Sequence, residues 1–269
     1  MSFAVLLKDW RRRRGLSQLG LSVAADVSAR HIAFIETGRA RPTRGMILRL
    51  SDALDIPRRD RNGLLEAAGF ASAYAARDLG AADMLPIRQA VDWMLERHAP
   101  FPAIALTRHW VIAALNAPAA AMFGPLGIAT STCLIETFMT PGPLRDAIEN
   151  WQEVAAHLLA RLKTESRASG GDSVLDGAAL RLAAEAGDPI PASNPLPPFL
   201  TTRIAVGDLR LALLSTIAQF GSAEDIALAE LRIELFFPAD EPTRELLSSR
   251  SAGLDAEKSR SQSLPQQRR

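Results

Sequence analysis

Arginine is concentrated near the amino end of the chain, where guanidinium groups could bind an anionic partner. Residues 11–14 are all arginine, and Arg39, Arg41 and Arg44 follow a short distance later. A guanidinium is always charged and presents several donors, so it can bind a phosphate or grip guanine O6 and N7 together. The cluster therefore indicates contact with nucleic acid, with an ordinary solvated loop as the alternative for the last three arginines.

The charge is distributed unevenly along the 269 residues, although the whole chain carries only +1. Residues 1–78 have 14 Lys or Arg against 8 Asp or Glu, whereas residues 79–250 have 13 against 20. A basic first third beside an acidic remainder is expected when only the first part meets phosphate.

Catalytic and metal-binding patterns are weak in this sequence. The histidines are isolated and form no metal-ligand spacing: His31, His98, His109 and His157. The single cysteine, Cys133, cannot form an internal disulfide and fits a reducing compartment. A pair of Cys133 with a distant histidine could act as a nucleophile, but a buried thiol is the favoured interpretation. We therefore predict no catalytic residue, no metal and no cofactor, with haem bound through one histidine as an alternative.

The apolar segments are too short for a membrane protein. No apolar run approaches the roughly 18–20 residues that a spanning helix needs. The apolar residues at the amino end are followed at once by Lys8 and Asp9, which is not the pattern of a signal peptide. The sequence predicts a cytoplasmic protein with no membrane partner.

Two short capped helices must position the basic residues. Ser17 and Ser28 are good N-caps, and Gly38 stands where a glycine commonly ends a helix. Two helices of about eight residues separated by a few residues predict a helix-turn-helix, with a plain helical hairpin as the alternative. Further helices are expected from Phe3 to Arg14, from Thr43 and from Pro57. Residues 1–78 are therefore predicted to form an all-α domain.

This segment resembles the phage-repressor/Cro (XRE) family of DNA-binding domains through R-R-x-x-G-L-S-Q and V-S-A-R-H-I-A-F-I-E-T-G-R-A-R-P-T. The resemblance implies that Gln18 contacts a phosphate, that the start of the second helix faces base edges, and that Glu36 pairs with Arg11. Arg30 is the main candidate for base readout, and Ala29 can offer only apolar contact. The predicted DNA contacts are Gln18, Ser28, Ala29, Arg30, His31, Phe34, Arg39, Arg41, Thr43 and Arg44.

Residues 84–250 predict a second domain after a hinge near residues 71–84. Its pattern indicates an antiparallel sheet of five short strands with helices inserted between them, an α+β architecture that makes the whole chain α+β and helix-rich. One long amphipathic helix is predicted from Leu144 to Arg167, and a proline-rich loop over residues 188–198. Alternate strand residues, among them Leu211, Leu213 and Ile217, are expected to face the helices. Residues 251–269 are predicted to be a disordered tail.

The second domain resembles the MmyB-like ligand-binding domain, a PAS-like module, through P-A-I-A-L-T-R-H-W-V-I-A-A-L-N-A-P-A-A-A-M-F-G, N-W-Q-E-V-A and E-L-R-I-E-L-F-F-P-A-D. The resemblance implies a regulator whose second domain holds a small apolar molecule such as a fatty acyl chain. Candidate pocket residues are Trp110, Asn116, Phe123, Phe138, Trp151, Phe220 and Phe236. Ordinary core packing is the alternative for the aromatic residues, a helix cap for Asn116, and a dimer seam for residues 235–237 if their sheet edge is open.

The combined interpretation is a sequence-specific transcription regulator that binds an operator in double-stranded DNA as a homodimer, on half-sites about 34 Å apart. One alternative keeps DNA binding but makes the second domain only an oligomerisation or protein-partner module, as in an antitoxin-like repressor. Another is an enzyme, which would need His157, Cys133 and an acid in one cleft.

Overall fold

A computed structural model describes residues 1–185, 199–221 and 223–250, so the predicted tail and proline-rich loop lie outside the described residues. The chain divides into two compact units. The first contains Met1–Asp78 with the short segments Thr164–Ser173 and Ser222–Ala229, and the second contains the described residues of Leu79–Lys163, Val174–Gly221 and Glu230–Arg269. None of the helices in these ranges is long and apolar enough to cross a lipid bilayer.

Five helices form the body of the first unit. They are α1 (Phe3–Arg13), α2 (Gln18–Ala25), α3 (Ala29–Glu36), α4 (Arg44–Ala53) and α5 (Arg58–Ala67). The side-chain oxygens of Ser17, Ser28 and Thr43 each accept the backbone N–H three residues later, which satisfies a donor that the helix itself cannot. Gly38 has φ +74° just after α3, a conformation that glycine adopts without strain. The predicted helix-turn-helix and its caps are confirmed.

The inward faces of these helices share one apolar core. Its fully buried members recur at helical spacing, which is why each helix has one face that must be covered. They include Leu7, Leu21, Ile32, Ile35, Ile47, Leu50, Leu64 and Leu65.

The second unit combines helices with one antiparallel sheet. Its helices are α6 (Leu85–Arg97), α7 (Ala117–Phe123), α8 (Leu134–Met139), α9 (Pro143–Ala147), α10 (Trp151–Ala168), α11 (Ser173–Glu185) and α13 (241–250), whereas α12 (Ile226–Ala229) falls in the first unit. Its strands are β1 (Ala103–Leu106), β2 (Ile112–Leu115), β3 (Thr202–Val206), β4 (Leu209–Gln219) and β5 (Arg232–Pro238). The five strands lie in the order β2-β1-β5-β4-β3, and every neighbouring pair is antiparallel. The predicted α+β fold class is confirmed.

The prediction of one long helix from Leu144 to Arg167 is wrong, because the helix is interrupted between α9 and α10. Ile148 forms an isolated β-bridge with Ile204 of β3, and the Asn150 side chain bonds to the backbone at the start of the same strand. The Asn150 side chain accepts from the Arg203 N–H and donates to the Thr201 carbonyl. The Ile148 bridge and these side-chain bonds of Asn150 lie between the end of α9 and the start of α10.

Two smaller expectations are also corrected. Ile217, near the end of β4, is 37% exposed and is not buried beneath the helices as expected. Residues 235–237 lie on β5, the central strand, which pairs with β1 and β4 on its two sides. They therefore present no open sheet edge for a dimer seam.

Candidate DNA interface and candidate ligand cavity

The start of α3 carries the residue with the best chemistry for reading a base. Arg30 is exposed, and its guanidinium carbon lies 5.3 Å from the centre of the Phe34 ring, one helical turn further on. This cation–π contact holds the long side chain without using its N–H donors. Ala29, His31 and Phe34 are half-buried, while the capping residue Ser28 is exposed.

The segment between α3 and α4 displays the other basic candidates. Arg39, Arg41 and Arg44 are exposed, as is the capping residue Thr43. The Phe34 carbonyl accepts the backbone N–H of Arg39, which fixes where the segment leaves the helix. The side chains of the three arginines are exposed and can therefore meet phosphates.

A buried ion pair ties α3 to α1. Arg11 Nε and Nη2 lie 2.6 and 2.8 Å from the two carboxylate oxygens of Glu36, and Gln18 Nε2 donates to Glu36 Oε2 at 2.8 Å. Burial alone would raise the pKa of Glu36, but the hydrogen bonds from Arg11 and Gln18 outweigh it, so the pKa is lowered. The pair implied by the family resemblance is present, and it orients the recognition helix.

Gln18 is the first residue of α2, and its side chain is half-buried. Because this side chain donates to Glu36, it also links α2 to α3. A primary amide has two N–H donors, so one bond does not exhaust its capacity. Its contact with phosphate stays a prediction.

The second unit contains a cavity of about 300 Å³ between the sheet and its helices. Strand side chains alternate between faces, and most of the strand residues that line the cavity are spaced two apart on β3, β4 and β5. They are Thr202, Ile204, Leu213, Ser215, Glu234 and Phe236. The opposite wall is mostly apolar and includes Phe123, Leu134, Phe138, Leu144, Val154 and Leu158.

Four of the predicted pocket residues line this cavity: Trp110, Phe123, Phe138 and Phe236. Trp110 adopts φ +56° in the turn between β1 and β2, a strained conformation for a bulky side chain. Its backbone N–H donates to the Thr107 carbonyl, which holds the turn.

The other three candidates lie elsewhere. Asn116, only 5% exposed, receives the N–H groups of Ala103 and Ala119 and donates to the carbonyls of Leu95 and Phe101. These four bonds cap α7 and join it to neighbouring segments, so the Asn116 amide is engaged within the protein and does not line the cavity.

Trp151 and Phe220 also do not line the cavity. Trp151 stacks on Phe138 with ring centres 6.4 Å apart and lies 4.6 Å from the Arg145 guanidinium carbon. It therefore supports the wall from behind. Phe220 follows directly after β4.

Sequence reasoning missed the polar end of the cavity. Arg161 Nη1 lies 3.1 Å from Glu234 Oε2, and Ser215 Oγ donates to Glu234 Oε1 at 2.9 Å. The Arg161 guanidinium carbon lies 4.3 Å from the centre of the Trp110 ring. A signal was available, because Glu234 is a charged residue within an apolar strand and His157 and Arg161 share one face of α10 at i, i+4 spacing.

His157 lines the same cavity and keeps part of its surface in solvent. Burial lowers the pKa of His157, and the positive charge of Arg161 lowers it further, against the opposing effect of Glu234. The imidazole is therefore neutral at neutral pH.

The catalytic cluster required by the enzyme interpretation is not assembled. Cys133 is not among the cavity residues, and its Sγ lies 3.6 Å from the His109 carbonyl oxygen. In the part of the chain that the structure describes, no three His, Cys, Asp or Glu side chains are grouped to hold a metal ion.

Two family models match this chain. Residues 87–249 match the model described as the MmyB-like transcription regulator ligand binding domain, and residues 2–64 match a helix-turn-helix domain. Neither model describes an enzyme family. A search of curated proteins found no match.

Proposed function

The chain belongs to the family of transcription regulators with an MmyB-like ligand-binding domain, and from this premise we propose that it binds operator DNA sequence-specifically under the control of a small, largely apolar molecule. A helix-turn-helix domain followed by a ligand-binding domain makes it a DNA-binding transcription regulator. The contacts, the ligand class and the assembly are the parts proposed here.

The DNA side of the proposal depends on one observation, the exposed Arg30 at the start of a recognition helix braced by the Arg11–Glu36 pair. A guanidinium in this position can bind guanine O6 and N7 in the major groove, while Arg39, Arg41 and Arg44 neutralise phosphates. A single such motif makes few base contacts. We therefore propose a homodimer on two half-sites about 34 Å apart.

Replacement of Arg30 by alanine tests base readout. An operator is first selected from random duplexes with the unaltered chain, and fluorescence anisotropy then compares Arg30→Ala with Arg244→Ala, which removes a positive charge from the second unit. We expect Arg30→Ala to cost about 1–3 kcal/mol and to relax base preference at one position of each half-site, and Arg244→Ala to have no such effect. Equal operator affinity of Arg30→Ala and the unaltered chain would refute the assignment.

The ligand side of the proposal is supported by the cavity of about 300 Å³ with mostly apolar walls. This volume is at the lower end of the range of roughly 300–1,000 Å³ typical of small-molecule sites. A module that only joins subunits has no need of such a space, so the cavity favours ligand binding over the antitoxin-like alternative.

Extraction of the purified protein with organic solvent, followed by mass spectrometry, tests this directly. We expect a molecule with an apolar portion, present in proportion to protein. Its addition to the emptied protein should change operator affinity. A protein that carries no molecule and binds no amphipathic probe would contradict the ligand proposal while leaving the DNA proposal intact.

A further inference from the structure

The polar end of the cavity contains one positive and one negative side chain that neutralise each other. Arg161 comes from α10 and Glu234 from β5, and their nearest atoms are 3.1 Å apart. Their side chains are only 13% and 10% exposed, so solvent screens the attraction weakly. An incoming ligand therefore meets a pair with no net charge rather than an isolated cation.

Both groups also have further contacts that fix their positions. Ser215 donates to the second carboxylate oxygen of Glu234, and the guanidinium of Arg161 lies over the Trp110 ring at 4.3 Å. A ligand that drew the Arg161 guanidinium away from Glu234 would leave a carboxylate buried without its counter-ion. Leaving a buried charge uncompensated is strongly unfavourable.

The remaining titratable group does not change this balance. Among the described residues that line the cavity, the titratable side chains are His157, Arg161 and Glu234. His157 is neutral, since burial and the charge of Arg161 both lower its pKa. It offers one donor and one acceptor, whereas the Ser215 hydroxyl, which donates its hydrogen to Glu234, can still accept a hydrogen bond.

A charged ligand would consequently lose its hydration without gaining a matching charge. A carboxylate placed near Arg161 would also approach Glu234, and an ammonium group placed near Glu234 would also approach Arg161. A neutral group that both donates and accepts hydrogen bonds carries a much smaller desolvation cost. The hydrogen-bonding groups of His157 and Ser215 can pair with such a ligand group.

We infer that the cavity binds an amphipathic molecule with a short apolar chain and an uncharged polar end, such as a carboxamide, alcohol or ester, rather than a free fatty acid. The inference rests on the proposed ligand-binding function and specifies the chemistry of its ligand. A cavity of about 300 Å³ is at the lower end of the range for small-molecule sites, which favours a short chain.

Octanamide and octanoate provide a matched test, because they have the same chain and the same number of non-hydrogen atoms and differ mainly in charge. Isothermal titration calorimetry on the full chain at neutral pH would compare them with octylammonium. We expect octanamide to bind at least about tenfold more tightly than either ion. Equal or tighter binding of octanoate or octylammonium would overturn the inference but leave ligand binding standing, whereas failure of all three to bind would count against the proposed cavity function itself.

Replacement of Glu234 by glutamine tests the cause of the preference. This change removes the compensating charge at nearly constant shape, so octanoate should gain at least about tenfold relative to octanamide. Glu230→Gln is the matched control, because Glu230 pairs with Arg108 and is not among the cavity residues. Its ratio of affinities should equal that of the unaltered chain. An unchanged ratio in folded Glu234→Gln protein, with folding checked by circular dichroism, would also overturn the inference.

Discussion

Replacing Arg11 with methionine should destabilise the first unit by about 3 kcal/mol. The change removes three hydrogen bonds, two to Glu36 at 2.6 and 2.8 Å and one to the Leu16 carbonyl at 2.8 Å, and it leaves Glu36, whose side chain is only 2% exposed, without its counter-ion. Removing one partner of a buried ion pair typically costs roughly 3–5 kcal/mol. Gln18 still donates to Glu36, so we place the expected value at the lower end of that range.

Hydrogen exchange in the full-length protein is the appropriate assay, because peptides from α1 to α4 report opening of the first unit separately from the second. The double variant Arg11→Met with Glu36→Leu removes both charges and should recover most of the lost stability, since a buried apolar pair can replace an ion pair at little cost. A loss below about 1 kcal/mol in the single variant, or no recovery in the double variant, would refute the assignment of the pair as the brace of α3.

Three further predictions concern pH, salt and the α7 cap. The lowered pKa of Glu36 means that its contribution to stability is complete above the ordinary value of 4.5 and is lost as pH falls through the folded-state value. The protection of α3 amides, measured relative to their intrinsic exchange rate at each pH, should therefore fall in that acid range, and protection that does not change with pH would contradict this prediction. Arg41→Ala should weaken binding to all duplexes alike and reduce the slope of log affinity against log salt by about 1, as measured by titrations at several salt concentrations. Asn116→Ala should lower the free energy of unfolding of the second unit by about 3 kcal/mol or more, because four backbone groups lose their hydrogen-bond partner. Denaturant titrations measure this loss, and a loss near zero would show that water replaces the amide.

The first unit could be predicted closely because its signals are local. Ser17, Ser28 and Thr43 each cap the helix that begins at the next residue, and the spacing of buried apolar residues sets the face that each helix turns inward. Such interactions span only a few residues and are readable without the tertiary structure.

The break between α9 and α10 shows where periodicity misleads. Apolar residues continue at helical spacing through the break, but Asn150 begins α10 and donates to Glu153 three residues later at 2.9 Å. Asparagine followed three residues later by glutamate is a helix-start pattern that the sequence contains. The bonds from Asn150 to β3 depend on residues about 50 positions away and could not be read from the sequence.

The cavity was the least predictable feature because its polar end is formed by distant residues. Arg161 and Glu234 are 73 positions apart, and only the sheet register and the placement of α10 bring them together. Aromatic size correctly indicated Trp110, Phe123, Phe138 and Phe236 as wall residues. Aromatic size could not distinguish these wall residues from Trp151, which packs behind the wall.

Two costly features coincide at the polar end of the cavity, and packing alone does not explain either one. Apolar side chains of similar volume could replace Arg161 and Glu234 with equal or better stability, and the left-handed backbone of Trp110 costs on the order of 1–3 kcal/mol. Together they place an aromatic face and a neutralised ion pair around the same space. Such an arrangement supplies hydrogen-bonding groups without a net charge. A neutral polar ligand would use those groups, and for this reason we regard the strain and the buried charges as parts of one recognition site.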